Sequence, residues 1–228
     1  MRAQTLMKKN NWLLFCITFF CLIKVSEGKS EASRYEILSG NNISNTKEEW
    51  DQKFLSRGYI FGKAPAKFLK ENANLLKNRS TVLDLGMGEG RNAVFLAAKG
   101  HKVVGIDISS VAVEKAKALA KEFNTEIKGV VASLDNYSIN EASFDVIMCF
   151  YYVDRNLVQK MKKWLRPGGL IFYEAHTIDK LKSNPLINKN YLVGKGEIKK
   201  FFKEFELIKF EEPVDGSHRS SIIVKKIQ

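Results

Sequence analysis

Thr81-Val82-Leu83-Asp84-Leu85-Gly86-Met87-Gly88-Glu89-Gly90-Arg91-Asn92 opens as a β-branched and aliphatic run and then breaks into glycines at every second position. Thr81 to Leu85 has the composition and length of a strand. Arg91 to Lys99 carries Val94, Leu96 and the pair Ala97-Ala98 at helical spacing until Gly100 stops it. Strand, glycine turn and helix are half of a β-α-β unit. The glycines put no side chains between the backbone and a ligand, and the unbonded N–H groups of the helix start lie beside them. A glycine loop alone is a weak signal. It gains weight from its sequel: Lys102–Ile106 (KVVGI) reads as a second strand, and Asp107 stands at its end, where a carboxylate can accept both hydroxyls of a ribose.

Outward from this unit the alternation continues. Ser110–Phe123 predicts a helix with Ala112, Ala116, Leu119 and Ala120 on one stripe, and Ile127–Val131 predicts a third strand. Phe144–Phe150 predicts a buried fourth strand, Arg155–Trp164 a helix closed by Arg166-Pro167-Gly168-Gly169, and Leu170–Glu174 a fifth strand. This is α/β patterning, and it predicts a doubly wound parallel sheet with helices on both faces. After a loop around Pro185 come a helix over Gly196–Phe205 and two strands, Leu207–Glu211 and Ser221–Ile227, joined through Pro213, Asp215 and Gly216. Strands joined by so short a turn run antiparallel, so the sheet ends in a hairpin. The sequence shows no internal repeat.

The 228 residues carry 37 Lys and Arg against 25 Asp and Glu, a formal net charge of +12, and 45% of them are hydrophobic. Such a chain buries a real core, and with 3 Cys and 4 Pro it is neither a disulfide scaffold nor a low-complexity or disordered chain. The positive surplus forms no block. Arg2, Lys8, Lys9 and Lys24 against Glu27 place part of it in the first 28 residues, and the rest interleaves with acids, as in Glu197, Lys199, Lys200, Lys203, Glu204 and Glu206. That is a solvated, mildly basic face, so no nucleic-acid partner is expected from charge.

Trp12 to Ile23 (WLLFCITFFCLI) is an uninterrupted apolar run behind Lys8 and Lys9, followed by Lys24 and small residues up to Gly28. Basic head, apolar run and small-residue end are the layout of a secretory signal cleaved after Gly28, and a chain starting at Met7 fits it equally. The run is shorter than the roughly 20 residues a spanning helix needs. Residues 8–28 therefore point to export or membrane targeting, whereas a misread upstream start would leave the protein in the cytoplasm. Residues 1–28 read as a signal-like leader, 29–47 as a linker rich in Ser, Asn, Glu and Lys, and 48–228 as the folded domain. Cys16 and Cys21 fall in the leader, so the domain keeps Cys149 alone and cysteine usage says nothing about redox compartment.

Nicotinamide and flavin loops need Gly-x-Gly-x-x-Gly, but Gly86, Gly88 and Gly90 are spaced Gly-x-Gly-x-Gly with Asp84 two positions ahead. Asp84 would repel a pyrophosphate. It suits a cationic ligand, and a zwitterionic amino acid carrying a sulfonium is one. Residues 84–92 resemble motif I of the class I S-adenosylmethionine-dependent methyltransferases, and Asp107 matches that family's ribose-binding acid. From about residue 50 to 226 the chain resembles the tellurite-resistance (TehB-like) branch. Trp50-Asp51, Tyr59-Ile60-Phe61-Gly62-Lys63-Ala64-Pro65, Glu89-Gly90-Arg91-Asn92, Gly100-His101-Lys102-Val103, Arg166-Pro167-Gly168-Gly169 and Gly196-Glu197-Ile198 all recur in its pattern.

The resemblance implies a Rossmann-like, mostly parallel seven-stranded sheet with a C-terminal antiparallel hairpin, and S-adenosyl-L-methionine as cofactor. It implies cofactor contacts from Tyr59, Phe61 and Gly62 in a lid ahead of the first strand, and from Asp84, Gly86, Gly88, Gly90, Arg91 and Asn92 in the loop. Asp107 and Ile108 after strand two, and Ser133, Leu134 and Phe150 at the ends of strands three and four, complete the set. No metal site is expected. Without the resemblance, the aromatic-glycine stretch from Tyr59 reads as a helix lead-in. Two positions depart from the pattern. Met87 stands where the family usually has Cys, and its side chain is expected to point away from the ligand. Ser133 replaces the Asp that usually bonds the adenine amino group; Asp135 is the alternative partner, and Leu134 would pack on the adenine ring.

Methyl transfer from a sulfonium is an in-line displacement, so the protein chiefly holds donor and acceptor in line and excludes water. Acceptor residues belong at the carboxyl ends of strands four and five and on the hairpin. Cys149-Phe150-Tyr151-Tyr152 offers an aromatic wall there, though aromatic runs also build cores. The Asn/Asp-Pro-Pro-Tyr signature of N-methylating DNA enzymes and the Pro-Cys nucleophile of cytosine-C5 enzymes are absent from the sequence. Glu174-Ala175-His176 closes strand five, and His218-Arg219 matches a His-Arg pair that faces the acceptor in TehB-like proteins. His218, Arg219 and His176 are the candidate catalytic residues: His218 to take a proton or orient the acceptor, Arg219 to hold an anionic one. A polar hairpin turn is the bland alternative for that pair. The sequence thus points to a methyltransferase acting on a small-molecule acceptor, such as a thiol or a selenium or tellurium species. An RNA or protein methyltransferase, and an S-adenosylmethionine-binding protein without turnover, are the competing readings. Nothing in the sequence indicates an oligomeric state.

Overall fold

The structure, a computed structural model, describes residues 47–227. The leader at 1–28 and the linker from 29 lie outside the described residues, except that Lys47, expected to close the linker, opens a helix. Among the described residues no helix is long and apolar enough to cross a membrane.

The chain runs α1 (Lys47–Phe54), α2 (Lys67–Asn72), β1 (Thr81–Leu85), α3 (Arg91–Ala98), β2 (Lys102–Asp107), α4 (Ser110–Glu122), β3 (Lys128–Val131) and β4 (Phe144–Phe150). It continues with α5 (Leu157–Trp164), β5 (Leu165–His176), α6 (Glu197–Phe201), β6 (Glu206–Glu211) and β7 (Arg219–Lys225). One seven-stranded sheet results, in the order β3-β2-β1-β4-β5-β7-β6. β3, β2, β1, β4 and β5 run parallel, and β7 inserts antiparallel between β5 and β6. The doubly wound sheet with its terminal hairpin is therefore the observed architecture.

The elements start where local chemistry allows. Ser109 caps α4, its hydroxyl accepting from Ala112 N at 3.1 Å. α5 begins two residues later than the apolar pattern predicts, because Asp154 accepts from Asn156 N (2.8 Å) and holds the lead-in in a turn. β5 begins earlier than predicted: between the pairs Phe144↔Leu165 and Val146↔Leu170, Asp145 of β4 faces the four residues Arg166 to Gly169 in a bulge. Arg166 anchors that bulge on Asp145 (2.8 Å) and on the Thr81 hydroxyl (3.0 Å).

Alternate residues of each strand feed two layers. Leu83, Leu85, Ile147, Tyr173, Ile222 and Val224 pack against α5 and α6 through Val158, Met161, Trp164 and Phe202. Val82, Met148, Phe172 and Ile223 pack against α2, α3 and α4 through Leu69, Leu96 and Ala116. Each such large side chain taken from water is worth about 1.5–3 kcal/mol, so both faces hold the strands in register. Because the first five strands are parallel, the ends of β1, β2, β4 and β5 emerge along one edge. Asp84, Asp107, Tyr151 and His176 stand on that edge.

Candidate functional site

The loop after β1 is fixed by its neighbours on three sides. Met87 N donates to Ile106 O (3.0 Å), Gly90 N to Met87 O (3.2 Å), and Val94 N to Gly90 O (2.8 Å). Gly90 has φ +84°, and a Cβ there would sit 2.6 Å from Ala116 Cβ, so only glycine lets the start of α3 touch α4. A Cβ on Gly86 would lie 3.0 Å from Tyr152 Cβ, which puts the loop against the end of β4. Met87 turns into the core with its sulfur over Gly105.

Asp84 is only 2% exposed. It accepts a hydrogen bond from Ala93 N, but its Oδ2 has no partner among the described residues. Burial, then repulsion from Asp107, push its pKa up to about 7 against the pull of Arg91. A buried acid with an unbonded oxygen is unfavourable until a donor arrives. Asp107 is buried too, and its oxygens accept from Gly88 N (2.7 Å) and Ser109 N (2.9 Å). Burial raises its pKa, opposed by those same bonds. A carboxylate oxygen accepts more than one bond, so both oxygens can also receive hydroxyls.

A strap formed by α1 and the residues after it lies over this loop. Asp51 docks α1 on the amino end of α4, accepting from Ser109 Oγ (2.6 Å) and Val111 N (3.2 Å). Burial opposes its ionisation, but hydrogen bonds from Lys47, Ser109 and Val111 hold the carboxyl well below the usual range. Phe54 stacks on Trp50 (5.6 Å), meets Phe61 edge-on (6.4 Å) and covers Gly88. Glu89 accepts from Ile60 N (2.7 Å) and Lys115 Nζ (3.0 Å), while the same ammonium donates to Ser56 O (2.9 Å) and Gly58 O (2.8 Å). Tyr59 OH donates to Lys115 O (3.3 Å), Arg91 to Phe61 O (3.3 Å), and Gly62 N to Tyr59 O (3.1 Å). Tyr59, Phe61, Gly62 and Arg91 are thus brought together with the glycine loop. Neither Glu89 nor Lys115 stands out as a clasp in the sequence; the one usable signal is a lone acid set between glycines.

The remaining cofactor candidates divide. Asn92 is turned away from the loop's open side, its Oδ1 accepting from Ala66 N (2.8 Å) at the entry to α2. Ile108 is half-buried, with its amide on Asp107. Ser133 is half-buried and exchanges bonds with the exposed Asp135, to Oδ2 at 3.1 Å and from the amide at 3.3 Å. Leu134 is buried in the core layer facing α5, and its carbonyl accepts from Lys160 Nζ (3.0 Å). Phe150 is buried in the opposite layer, with Phe68, Met148 and Phe172.

Where β4 and β5 end and β7 begins, polar groups gather on the layer that α2 covers. Tyr151 takes a left-handed backbone (φ +61°), unusual for so bulky a residue. Its N–H donates to Glu174 O (2.7 Å) and its hydroxyl donates to Glu174 Oε1. Glu174 is 1% exposed and also accepts from Ser221 Oγ at 2.6 Å. Arg219, paired with His176 across β5 and β7, hydrogen-bonds Tyr151; burial works against its charge, but Tyr151 and Glu174 outweigh it and raise its pKa. His176 lies 4.8 Å from the Tyr151 ring, and Arg91 lies 5.7 Å from that ring, so Tyr151 bridges this cluster to the glycine loop. Burial, with Lys180 next, pushes His176 down to about 4, so its imidazole is neutral at neutral pH. His218 takes a left-handed backbone (φ +50°), and its carbonyl accepts from Thr177 N at 2.8 Å and from the His176 ring. Of the His-Arg pair, Arg219 therefore enters the cluster by its side chain and His218 by its backbone. Among the described residues no group of three or more His, Cys, Asp or Glu is placed to hold a metal ion.

Comparison with known proteins agrees with this edge. Residues 82–169, from β1 into β5, match the family model described as a methyltransferase domain. Hemagglutinin 1 of Eikenella corrodens is 28% identical over 64% of this chain and 50% of its own length. The tRNA 5-carboxymethoxyuridine methyltransferase of Escherichia coli is 35% identical over 42% of this chain and 41% of its own. A ubiquinone biosynthesis O-methyltransferase of Actinobacillus pleuropneumoniae is 28% identical over 65% and 70%. The chain thus spans half or less of the length of the first two relatives. The structure of TehB from Haemophilus influenzae superimposes with a TM-score of 0.59 at 17% identity, covering 79% of this chain and 66% of that one, a likeness of fold. Residues 82–169 are thus similar to a methyltransferase domain, and they supply β1 to β5 of the sheet, the part that carries the glycine loop.

Proposed function

We propose that the protein transfers a methyl group from S-adenosyl-L-methionine to a small-molecule acceptor. The observation that carries this reading is the unbonded oxygen of Asp84, buried at the end of β1 beside Gly86 and Gly88. A ligand ammonium fits it: an opposite charge donates to the oxygen and relieves the burial that raises the pKa of the acid. Asp107 would accept the ribose hydroxyls, and the strap from Trp50 to Gly62 would shield the site from water. When bound, the cofactor supplies an electrophilic methyl on a sulfonium, and the residues at the ends of β4, β5 and β7 orient what receives it. Leu134 and Phe150 are buried at the strand ends, and beside them Ser133 with the exposed Asp135 would take the adenine amino group.

For the acceptor, a thiol or a chalcogen species remains the reading that the TehB-like resemblance favours. The E. coli relative acts on tRNA, which supports RNA as the second reading, over less than half of this chain. Calorimetry with S-adenosylmethionine and S-adenosylhomocysteine tests the cofactor assignment, and no binding of either overturns it. Labelled methyl incorporation into thiols, chalcogen oxyanions and tRNA then separates the acceptors; binding without any incorporation identifies a non-catalytic binder.

A further inference from the structure

The cluster at the ends of β4, β5 and β7 holds chemistry that the cofactor assignment does not use. Glu174 is an acid buried as deeply as the hydrophobic core around it, yet it is tied to two hydroxyls, those of Tyr151 and Ser221. A buried carboxylate with no structural partner element to cap is a poor choice for stability. Tyr151 pays for its place with a left-handed backbone that no glycine relieves, the kind of strain that persists where a side chain must be aimed. A cavity of about 140 Å³ opens beside them between α2 and the hairpin, lined by Glu174, Arg219 and Ser221. Its wall is acidic: Glu71, Glu174, Glu211 and Asp215 against Lys67 and Arg219. Arg219 is already engaged by Tyr151 and Glu174.

We propose that Tyr151 and Glu174 form a proton relay for an acceptor whose nucleophile still carries its proton, a thiol or a hydroxyl, rather than an oxyanion. This rests on the methyltransferase reading and names the acceptor class for it. A phenol hydroxyl donates and accepts at once, so the Tyr151 oxygen takes the acceptor proton as it passes its own to Glu174 Oε1. The new S–CH3 or O–CH3 bond forms as the carbon–sulfonium bond breaks, with that bond's electron pair left on the donor sulfur. Tyr151 ends neutral, Glu174 ends as a carboxylic acid, and the cavity is its route back to solvent. Arg219 orients the phenol, and the acidic wall disfavours a second anion.

The test offers the full chain labelled S-adenosylmethionine with benzyl mercaptan, catechol, selenite or tellurite, with S-adenosylhomocysteine binding followed by calorimetry. Transfer to benzyl mercaptan or catechol is expected and transfer to the oxyanions is not. Tyr151→Phe and Glu174→Gln should each lower kcat about 100-fold, with KM and S-adenosylhomocysteine affinity changed less than about threefold. If Tyr151→Phe does not fold, the isosteric Glu174→Gln carries the test. Transfer to an oxyanion alone, transfer to none of the four by a chain that binds S-adenosylhomocysteine, or wild-type kcat in both variants overturns the relay. A wild-type chain that binds neither cofactor form overturns the methyltransferase reading itself, which keeps the two failures apart.

Discussion

The two ends of the functional edge are built differently. Around β1 and β2 the polar groups are backbone amides and two carboxylates from two short stretches, and one carboxylate oxygen has no partner among the described residues. Around β4, β5 and β7 the polar groups come from three strands, and Tyr151, Glu174, Ser221 and Arg219 bond one another. The first end leaves a buried carboxylate oxygen unbonded, which the proposed ligand ammonium would fill. The second is complete as it stands, and does something only when a proton must move. Substitutions at the first end should therefore act through backbone geometry and ligand charge, and those at the second through rate.

The largest effect is expected at Gly90. An alanine there meets Ala116 Cβ at 2.6 Å and Cα at 3.0 Å from a backbone at φ +84°, so overpacking and strain add. We expect Gly90→Ala to lose about 4 kcal/mol by urea unfolding. Gly58→Ala is the control: φ is +76° but nothing lies within 4 Å, so strain alone should remove about 1 kcal/mol. Equal losses would mean that the α3–α4 contact does not fix the loop.

Asp84 comes next, and its effect changes sign with the ligand. Its ordinary value is 3.8, and in the folded chain burial raises it to about 7. Between those values the folded chain keeps a proton that the unfolded chain has lost. The contribution of this group to stability therefore falls as pH rises from about 4 to about 7, and the full penalty, roughly 4 kcal/mol, stands above 7. An ammonium ligand needs the ionised form, so S-adenosylhomocysteine affinity should rise with pH through about 7. Asp84→Asn should stabilise the ligand-free chain at pH 8 by about 2 kcal/mol and weaken S-adenosylhomocysteine binding at least about tenfold. A variant that gains stability yet binds as well as wild type would take the ligand ammonium away from Asp84.

Lys115 tests the strap. Its ammonium is the partner of the buried Glu89 and of two carbonyls in residues 56–58. Lys115→Met leaves Glu89 with only Ile60 N, and we expect a loss of about 2 kcal/mol, read as faster proteolysis between residues 55 and 62. Tyr151→Phe should leave that cleavage unchanged, since the Tyr151 hydroxyl bonds Glu174 and not the strap.

The contrast between the two ends also explains what the sequence could show. Asp84, the three glycines and Asp107 are legible because strand, loop and helix are contiguous, and backbone geometry demands those residue types. The doubly wound parallel sheet was legible from the strand–helix alternation and the terminal hairpin from its short turn, whereas the strand order was not. The boundaries that slipped did so for local reasons: Asp154 delays α5, and the bulge opposite Asp145 carries β5 back to Leu165. Tyr151, Glu174 and Ser221 were hidden because their meeting depends on β7 inserting beside β5, a tertiary fact with no spacing signature. Leu134 and Phe150, cofactor contacts by position, are buried in the two apolar layers, since a strand-end side chain goes where burial removes most surface.

The smallest effect is expected at Ser133, where that layering matters most. Among the described residues its hydroxyl bonds Asp135, and the residue is half-buried beside that exposed acid. Ser133→Ala should therefore change stability by no more than about 0.5 kcal/mol. Its effect on binding distinguishes two ways of reading adenine. If Asp135 is the partner, loss of the hydroxyl frees that carboxylate, and S-adenosylhomocysteine affinity should hold within about threefold, whereas Asp135→Ala should lower it by about tenfold. A tenfold loss in Ser133→Ala, with Asp135→Ala unchanged, would give the adenine amino group to the serine oxygen instead. Either result, measured by calorimetry against S-adenosylhomocysteine and its inosine analogue, shows which of the two short polar side chains after β3 reads the base.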